Sequence, residues 1–219
     1  MILTPPTRIT LVRHGHVHNP DNVVYGRLPG FDLSEIGRQQ AAEAAEVLRD
    51  SNLAALYASP QPRAQQTAEI LVAHHPDLTI QTEPLIDEVY SFFEGRPAEE
   101  VEARGWNLYT EVGDRHETPK DIAARAGHFI LRMRERYAGR HVVAVTHGDI
   151  IAFSILWAMH APIDVKIKGQ LDSYGISDSY PATASLTTLV YETNTADESP
   201  KLSYARPYGE DLVDDALSG

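Results

Sequence analysis

The sequence predicts an α/β domain built on a mostly parallel sheet, and three observations carry that prediction. Short apolar runs alternate with longer amphipathic ones along most of the chain, the pattern of repeated strand–helix units. The longer runs carry helix-start signals such as Ser34 and Thr118-Pro119. Two short runs, "LVRHG" and "AVTHG", end in His-Gly. Ligands in open α/β sheets sit beyond the carboxyl ends of the strands, so both histidines stand where a site is expected.

Taken in order, "RITLVRHG" reads as a buried strand over 9–12, ending at Arg13, His14 and Gly15. "NPDNVVYGRLPGFD" is loop, dense in Pro, Gly, Asn and Asp. "LSEIGRQQAAEAAEVLRDS" predicts a helix capped by Ser34, with Ile36, Ala41, Ala44, Val47 and Leu48 facing the core. "LAALYAS" is a second strand. "PQPRAQQTAEILVAHH" is a helix whose prolines fall only at its entry, where proline is tolerated. "LTIQTEP" is a third strand. From 85 to 117 the periodicity weakens into an aromatic and acidic stretch, read as an inserted helical and loop lid. "TPKDIAARAGHFILRMRERYAG" is the clearest helix, with Thr118 as N-cap, Pro119 at the first position and an apolar stripe from Ile122 to Tyr137. "HVVAVTHG" is a strand, "DIIAFSILWAMH" a buried helix, and "ASLTTLVYET" and "KLSYAR" are further strands. The whole of 1–219 is expected to form one domain with a loose acidic tail over 207–219.

Composition removes several classes of function. The net charge is −12 and no basic stripe appears, so nucleic acid is not an expected partner. With no cysteine, disulfides, thiolate zinc sites and thiol catalysis are excluded. No run approaches the ~18 apolar residues of a membrane span, and the first residues lack a basic, cleavable leader. A cytoplasmic location is expected.

Three histidines, His14, His16 and His18, alternate beside Arg13. A cation opposes a bound dication but favours an anion, and no carboxylate cluster adjoins these rings, so neither metal nor cofactor is expected. A neutral imidazole can attack phosphorus with one ring nitrogen while the other donates to a carbonyl. "SPQPRAQQTAE" places Arg63 in the first turn of a helix, where free N–H groups already favour anions. "VTHGD" repeats the strand–His–Gly arrangement at His147 and Gly148. A lone strand-end histidine is ordinarily a core residue. Two at equivalent strand ends would face each other across one crevice.

Together "LVRHG", "SPxxRAxQTA" and "VxHG", in this order, resemble the histidine phosphatase superfamily, also called phosphoglycerate mutase-like proteins. The resemblance covers residues 9 to 191 or so. It implies a three-layer α/β/α sandwich with a lid insertion around 85–117. It implies His14 as a nucleophile that becomes phosphohistidine, with Arg13, Arg63 and His147 gripping the phosphoryl oxygens. A general acid is implied within "LIDEVYSFFEG"; the spacing to "FEG" favours Glu88, with Asp87 as the other candidate. Asn19 fits the family pattern and His16 departs from it. His16, Gly148 and Arg27 join Asn19 as expected substrate contacts. His18 is expected to be surface. The implied activity is metal-independent hydrolysis of small phosphomonoesters. Mutase relatives carry an arginine-rich region that "DEVYSFFEG" lacks, which places mutase-type transfer second. A non-catalytic phospholigand or protein-binding module is the remaining alternative, and a homodimer is compatible with the sequence.

Overall fold

In a computed structural model, the structure describes residues 5–110, 116–193, 195 and 197–213. Its centre is a six-stranded sheet in the order β3-β2-β4-β1-β5-β6. The strands are β1 (Thr7–Arg13), β2 (Leu53–Ala58), β3 (Ile80–Thr82), β4 (His141–Thr146), β5 (Leu186–Tyr191) and β6 (Lys201–Ala205). The first four run parallel, and β5 adds antiparallel to β1. The sheet is therefore mostly parallel, as the sequence predicts, and β1 begins two residues earlier than its apolar run suggests.

Alternate strand residues feed two cores, as the period of two requires. Ile9, Leu11, Tyr57, Val142 and Ala144 pack on one face, against α4 (Pro119–Arg136) and α5 (Gly148–Ala158). Val12, Leu56, Ala58, Val143 and Val145 pack on the other, against α1 (Glu35–Leu48) and α2 (Pro62–Val72). This is the three-layer sandwich. Ser34 caps α1 by accepting from Gly37 N, and Thr118 forms a reciprocal capping box with Asp121 on α4. The α4 stripe Ile122, Ala126, Phe129, Ile130, Met133 and Tyr137 is buried. On α1 the buried face is Gly37, Gln40, Ala41, Ala44, Ala45 and Leu48, and Val47 is exposed. Small residues and a buried glutamine set that face, which a hydrophobicity pattern underweights.

Within the lid, a 3-10 turn over Pro84–Ile86 is followed by the short α3 (Ala98–Glu102). Phe93 and Val101 form its own small core with Val24, Trp106 and Leu108. The tail differs from expectation: Tyr208 donates to Thr183 O at 2.5 Å, and Gln40 Nε2 donates to Leu212 O at 2.7 Å. The chain is thus docked as far as Leu212, and residues 214–219 lie outside the described residues.

The position of the site follows from the topology. β1 and β4 are neighbours, but the chain leaves β1 towards α1 on one face and β4 towards α5 on the other. A crevice opens where the connections diverge, at the carboxyl ends of these two strands.

Candidate active site

His14 and His147 follow β1 and β4 directly, and their ring centroids lie 5.1 Å apart. Arg63, in the first turn of α2, enters the same crevice and is fully buried. Glu88 reaches it from the lid. Its Oε2 lies 3.0 Å from Arg63 Nη2 and 3.0 Å from His147 Nδ1.

The tautomer of His14 is fixed by its neighbours. The Gly15 carbonyl can only accept, so His14 Nδ1 carries the proton and donates to it at 2.8 Å. Nε2 is left with its lone pair, towards which Arg63 Nε donates at 3.2 Å. Burial, then the charges of Arg63, His147 and Arg13, holds this ring well below the ordinary histidine pKa, so it is neutral. Backbone proximity positions it: Gly15 lies against Gly37 of α1, and a Cβ on Gly15 would stand 2.3 Å from Gly37 O. Only glycine allows that approach.

Arg63 also donates through Nη2 to Gly26 O at 2.8 Å, and its guanidinium lies over the Tyr25 ring, 4.7 Å from the centroid. Its Nη1 has no hydrogen-bond partner among the described residues. A buried cation with an unmatched donor beside a neutral imidazole suits an incoming anion. Burial alone would raise the pKa of Glu88, but His147 and Arg63 outweigh it and hold the carboxyl well below its usual range.

The crevice opens into a cavity of about 790 Å³. Arg13, His14, His16, Asn19, Glu88 and Gly148 line it. Arg63 and His147 are fully buried behind these residues. Asn19 uses its amide to bracket the backbone of Val23, at 2.9 and 3.2 Å, which shapes the loop. His16 Nδ1 shares a hydrogen bond with the α1 cap Ser34 at 2.7 Å. Gly148 lies under Tyr180, whose hydroxyl would stand 2.3 Å from an added Cβ. His18 is exposed and does not line the cavity.

Arg27, expected at the substrate, supports the lid segment that carries Glu88. Its guanidinium donates to Glu88 O at 2.7 Å and to Glu117 at 3.1 Å, beside the cavity-lining Tyr25 and Gly26. Arg125 completes this support, donating to the carbonyls of Leu85, Asp87 and Glu88 and to Glu117. The two candidate acids separate clearly in space. Glu88 faces the histidines, whereas Asp87 Oδ1 accepts from Ser59, Gln61 and the Glu88 backbone. Asp149 and Lys168, a buried pair at 2.7 Å on the cavity wall, were not anticipated. Asp149 follows directly after the "THG" motif, whereas Lys168 carries no local signal.

Donor atoms of His14, Glu88 and His147 lie within 4.8 Å of one another, a spacing a cation could span. Arg63 already occupies that space by donating to His14 Nε2 and Glu88 Oε2. The arrangement therefore fits an anion better than a metal.

Known proteins share this fold. A solved mycobacterial glucosyl-3-phosphoglycerate phosphatase superposes with TM-score 0.72 at 24% identity, covering 91% of this chain and 97% of that one. A phosphoserine phosphatase from Entamoeba histolytica, solved with 3-phosphoglyceric acid, gives 0.71 at 22% identity, covering 94% and 100%. At these identities the likeness speaks for the fold. In sequence, an uncharacterized protein of Mycobacterium tuberculosis, Rv0525, is 43% identical over 150 residues, 64% of this chain and 73% of that protein. A probable fructose-2,6-bisphosphatase, TIGAR A of Danio rerio, is 32% identical over 149 residues, 64% of this chain and 58% of that protein. The profile of the histidine phosphatase superfamily (branch 1) matches residues 9–194. With the paired strand-end histidines and the buried arginine between them, that match makes the chain a member of the histidine phosphatase superfamily.

Proposed function

We propose that the protein hydrolyses small phosphomonoesters through a phosphohistidine formed on His14, without a metal ion. The observation that carries this reading is the neutral His14 ring, its Nδ1 proton given to Gly15 and its Nε2 lone pair turned to a buried arginine. In the first step Nε2 attacks phosphorus and the bond from phosphorus to the ester oxygen breaks. Glu88 gives that oxygen a proton. In the second step the Glu88 carboxylate takes a proton from water, the water oxygen bonds to phosphorus, and the P–N bond breaks to release phosphate. Arg13, Arg63 and His147 stabilise charge on the phosphoryl oxygens, which is where such catalysis acts.

Glu88 is ionised in the unliganded site and must gain a proton before the first step. A phosphoryl dianion supplies the cause. It takes over the Arg63 donors that hold the carboxylate, and its own charge raises the proton affinity of Glu88.

The leaving group would rest against Val17, Val23, Val24, Trp106 and Leu108, an apolar wall shared by the loop after β1 and the lid. Arg96 and Arg104 lie over the lid phenylalanines and do not line the cavity. The Lys168 ammonium is matched by Asp149. Of the lining lysines only Lys166 is left to meet a second anionic group, fewer cations than a mutase-type transfer calls for, which favours hydrolysis.

The test is turnover of p-nitrophenyl phosphate and of a panel of phosphorylated metabolites in EDTA, with His14→Ala as control. Activity that survives chelator and vanishes in the variant supports the reading. Loss on chelation contradicts the metal-free mechanism. Equal inertness of both proteins favours a binding module, and interconversion of phosphoglycerates without phosphate release favours a mutase.

A further inference from the structure

We propose that Asp87 and Ser59 form a relay that fixes a proton on Nε2 of His147, so that the variable proton of this ring sits on Nδ1, facing Glu88 and the phosphoryl seat. The role given to the phosphoryl seat rests on the function proposed above. The tautomer itself rests on donor counting alone.

An ionised carboxylate only accepts. Three donors converge on Asp87 Oδ1: the Ser59 hydroxyl at 3.1 Å, Gln61 Nε2 at 2.8 Å and Glu88 N at 2.8 Å. A hydroxyl has one proton, and that of Ser59 is committed to Asp87. The 2.7 Å contact between Ser59 Oγ and His147 Nε2 must then be donated by the ring. Ser59 and His147 are both fully buried, so water does not readily replace either partner.

With Nε2 settled, Nδ1 is the variable atom. It lies 3.0 Å from Glu88 Oε2 and 3.3 Å from Arg63 Nη2. An oxyanion opposite Nδ1 calls for a proton, and a guanidinium opposite it calls for a lone pair. The groups around the ring are His14 from β1, Arg63 from α2, and Asp87 and Glu88 from the lid. Burial lowers the proton affinity of His147, Glu88 opposes that, Arg63 reinforces it, and Asp87 opposes it. The unliganded ring thus releases its Nδ1 proton readily. A phosphoryl dianion then draws one proton from solvent onto Nδ1, where the new N–H donates to it. Without the relay, the neutral ring could place its single proton on Nδ1 and leave Nε2 bare. Asp87, one of the two candidate acids in the sequence, is a positioning residue that acts through Ser59.

The experiment is nitrogen NMR of histidine-labelled protein, with His147 assigned by the loss of its signals in His147→Gln. Spectra are taken with and without orthovanadate in wild type, Ser59→Ala and Asp87→Asn. In wild type the neutral ring should be protonated at Nε2, and vanadate should add a proton at Nδ1. Ser59→Ala should lose the Nε2 preference and lower kcat/KM roughly 10- to 100-fold, as loss of a group that orients a site ligand does. Ser59→Thr, which keeps the hydroxyl, should restore the tautomer. Asp87→Asn keeps its oxygen towards Glu88 N and Gln61, so the tautomer should persist. Its lost charge should move His147 protonation, and the basic limb of the kcat/KM profile, to lower pH.

A wild-type ring protonated at Nδ1, or a Ser59→Ala ring still locked at Nε2, overturns the relay. Should Ser59→Ala fail to fold, the unliganded wild-type tautomer decides alone, and a ring protonated at Nδ1 then overturns the relay. If wild type turns over no phosphomonoester and ignores vanadate, the phosphatase reading fails, while the unliganded spectra still judge the tautomer.

Discussion

Arg63 shows how a single buried side chain can join the parts of a site and keep one donor in reserve. It is fully buried and bonded to His14, Gly26 and Glu88, yet one terminal nitrogen has no hydrogen-bond partner among the described residues. Arg63→Met leaves His14 Nε2, Gly26 O and the Glu88 carboxylate without their donor, and removing one partner of a buried pair is destabilising. The variant should lower kcat roughly 10²- to 10³-fold, the scale for losing one preorganised donor. Its urea midpoint should fall as well, because Glu88 and Gly26 O lose their donor; retained kcat in the folded variant would contradict this role. Glu88→Gln should lower kcat about 10²- to 10⁴-fold on alkyl phosphates, and much less on p-nitrophenyl phosphate, whose leaving group needs no proton. Equal losses on both would remove Glu88 as the acid. At this scale the sequence reveals most where residues are contiguous. His14, Arg63 and His147 stand inside short runs whose strand or helix positions can be read directly. Glu88 cannot be separated from Asp87 by counting, because the choice depends on which side chain the lid turns inward. Arg27 reads as a substrate contact because its loop is near the site, but its guanidinium is spent on Glu88 O and Glu117.

At the scale of elements, the site is held by backbone contacts between β1, α1 and the lid. Gly15 and Gly37 touch through their backbones, and a Cβ on Gly37 would stand 2.0 Å from His16 O. Gly37→Ala should cost about 1–3 kcal/mol, the range for overpacking, and should reduce kcat as well, because the shifted segment carries His14. Thr118→Ala is the matched control: loss of its cap should cost about 1 kcal/mol and leave kcat unchanged, as the Thr118 side chain bonds to Asp121 and does not line the cavity. Chemical denaturation beside steady-state kinetics separates the two. Arg125→Met frees the carbonyls of Leu85, Asp87 and Glu88, and should lower kcat more than it changes KM. The helices were legible because caps and stripes are local signals, as on α4. The buried face of α1 was less so, since Gly37 and Gln40 face inward while Val47 does not. The lid was legible only as an interruption, because Arg125 and Glu117 hold it through carbonyl and ion-pair contacts that leave no period in the sequence.

For the molecule as a whole, the site's demand for neutral imidazoles sets the pH dependence of stability. His14 and His147 are held below the ordinary value of 6.5, and burial with Arg8 brings His141 to about 4. Unfolded rings bind protons that the folded rings refuse, so stability is flat above that value and falls as pH drops below it. Each buried ring contributes a slope of up to about 1.4 kcal/mol per pH unit. Glu88, depressed in the fold, adds a further loss at lower pH, as its carboxylate protonates. Urea melts between about pH 8 and about pH 5 should show midpoints declining on acidification; a flat or rising series would contradict the neutral-ring assignment. The net charge of −12 repels anions at long range, so recognition of a phosphoester depends on Arg13, Arg63 and His147 at short range. The central claim is that His14 carries the phosphoryl group between two displacements, and stereochemistry reads this directly. Hydrolysis of a substrate with an isotopically chiral phosphoryl group should give product phosphate with net retention of configuration, because two in-line inversions cancel. Net inversion would mean that water attacks phosphorus in a single step, and His14 would then not be the nucleophile.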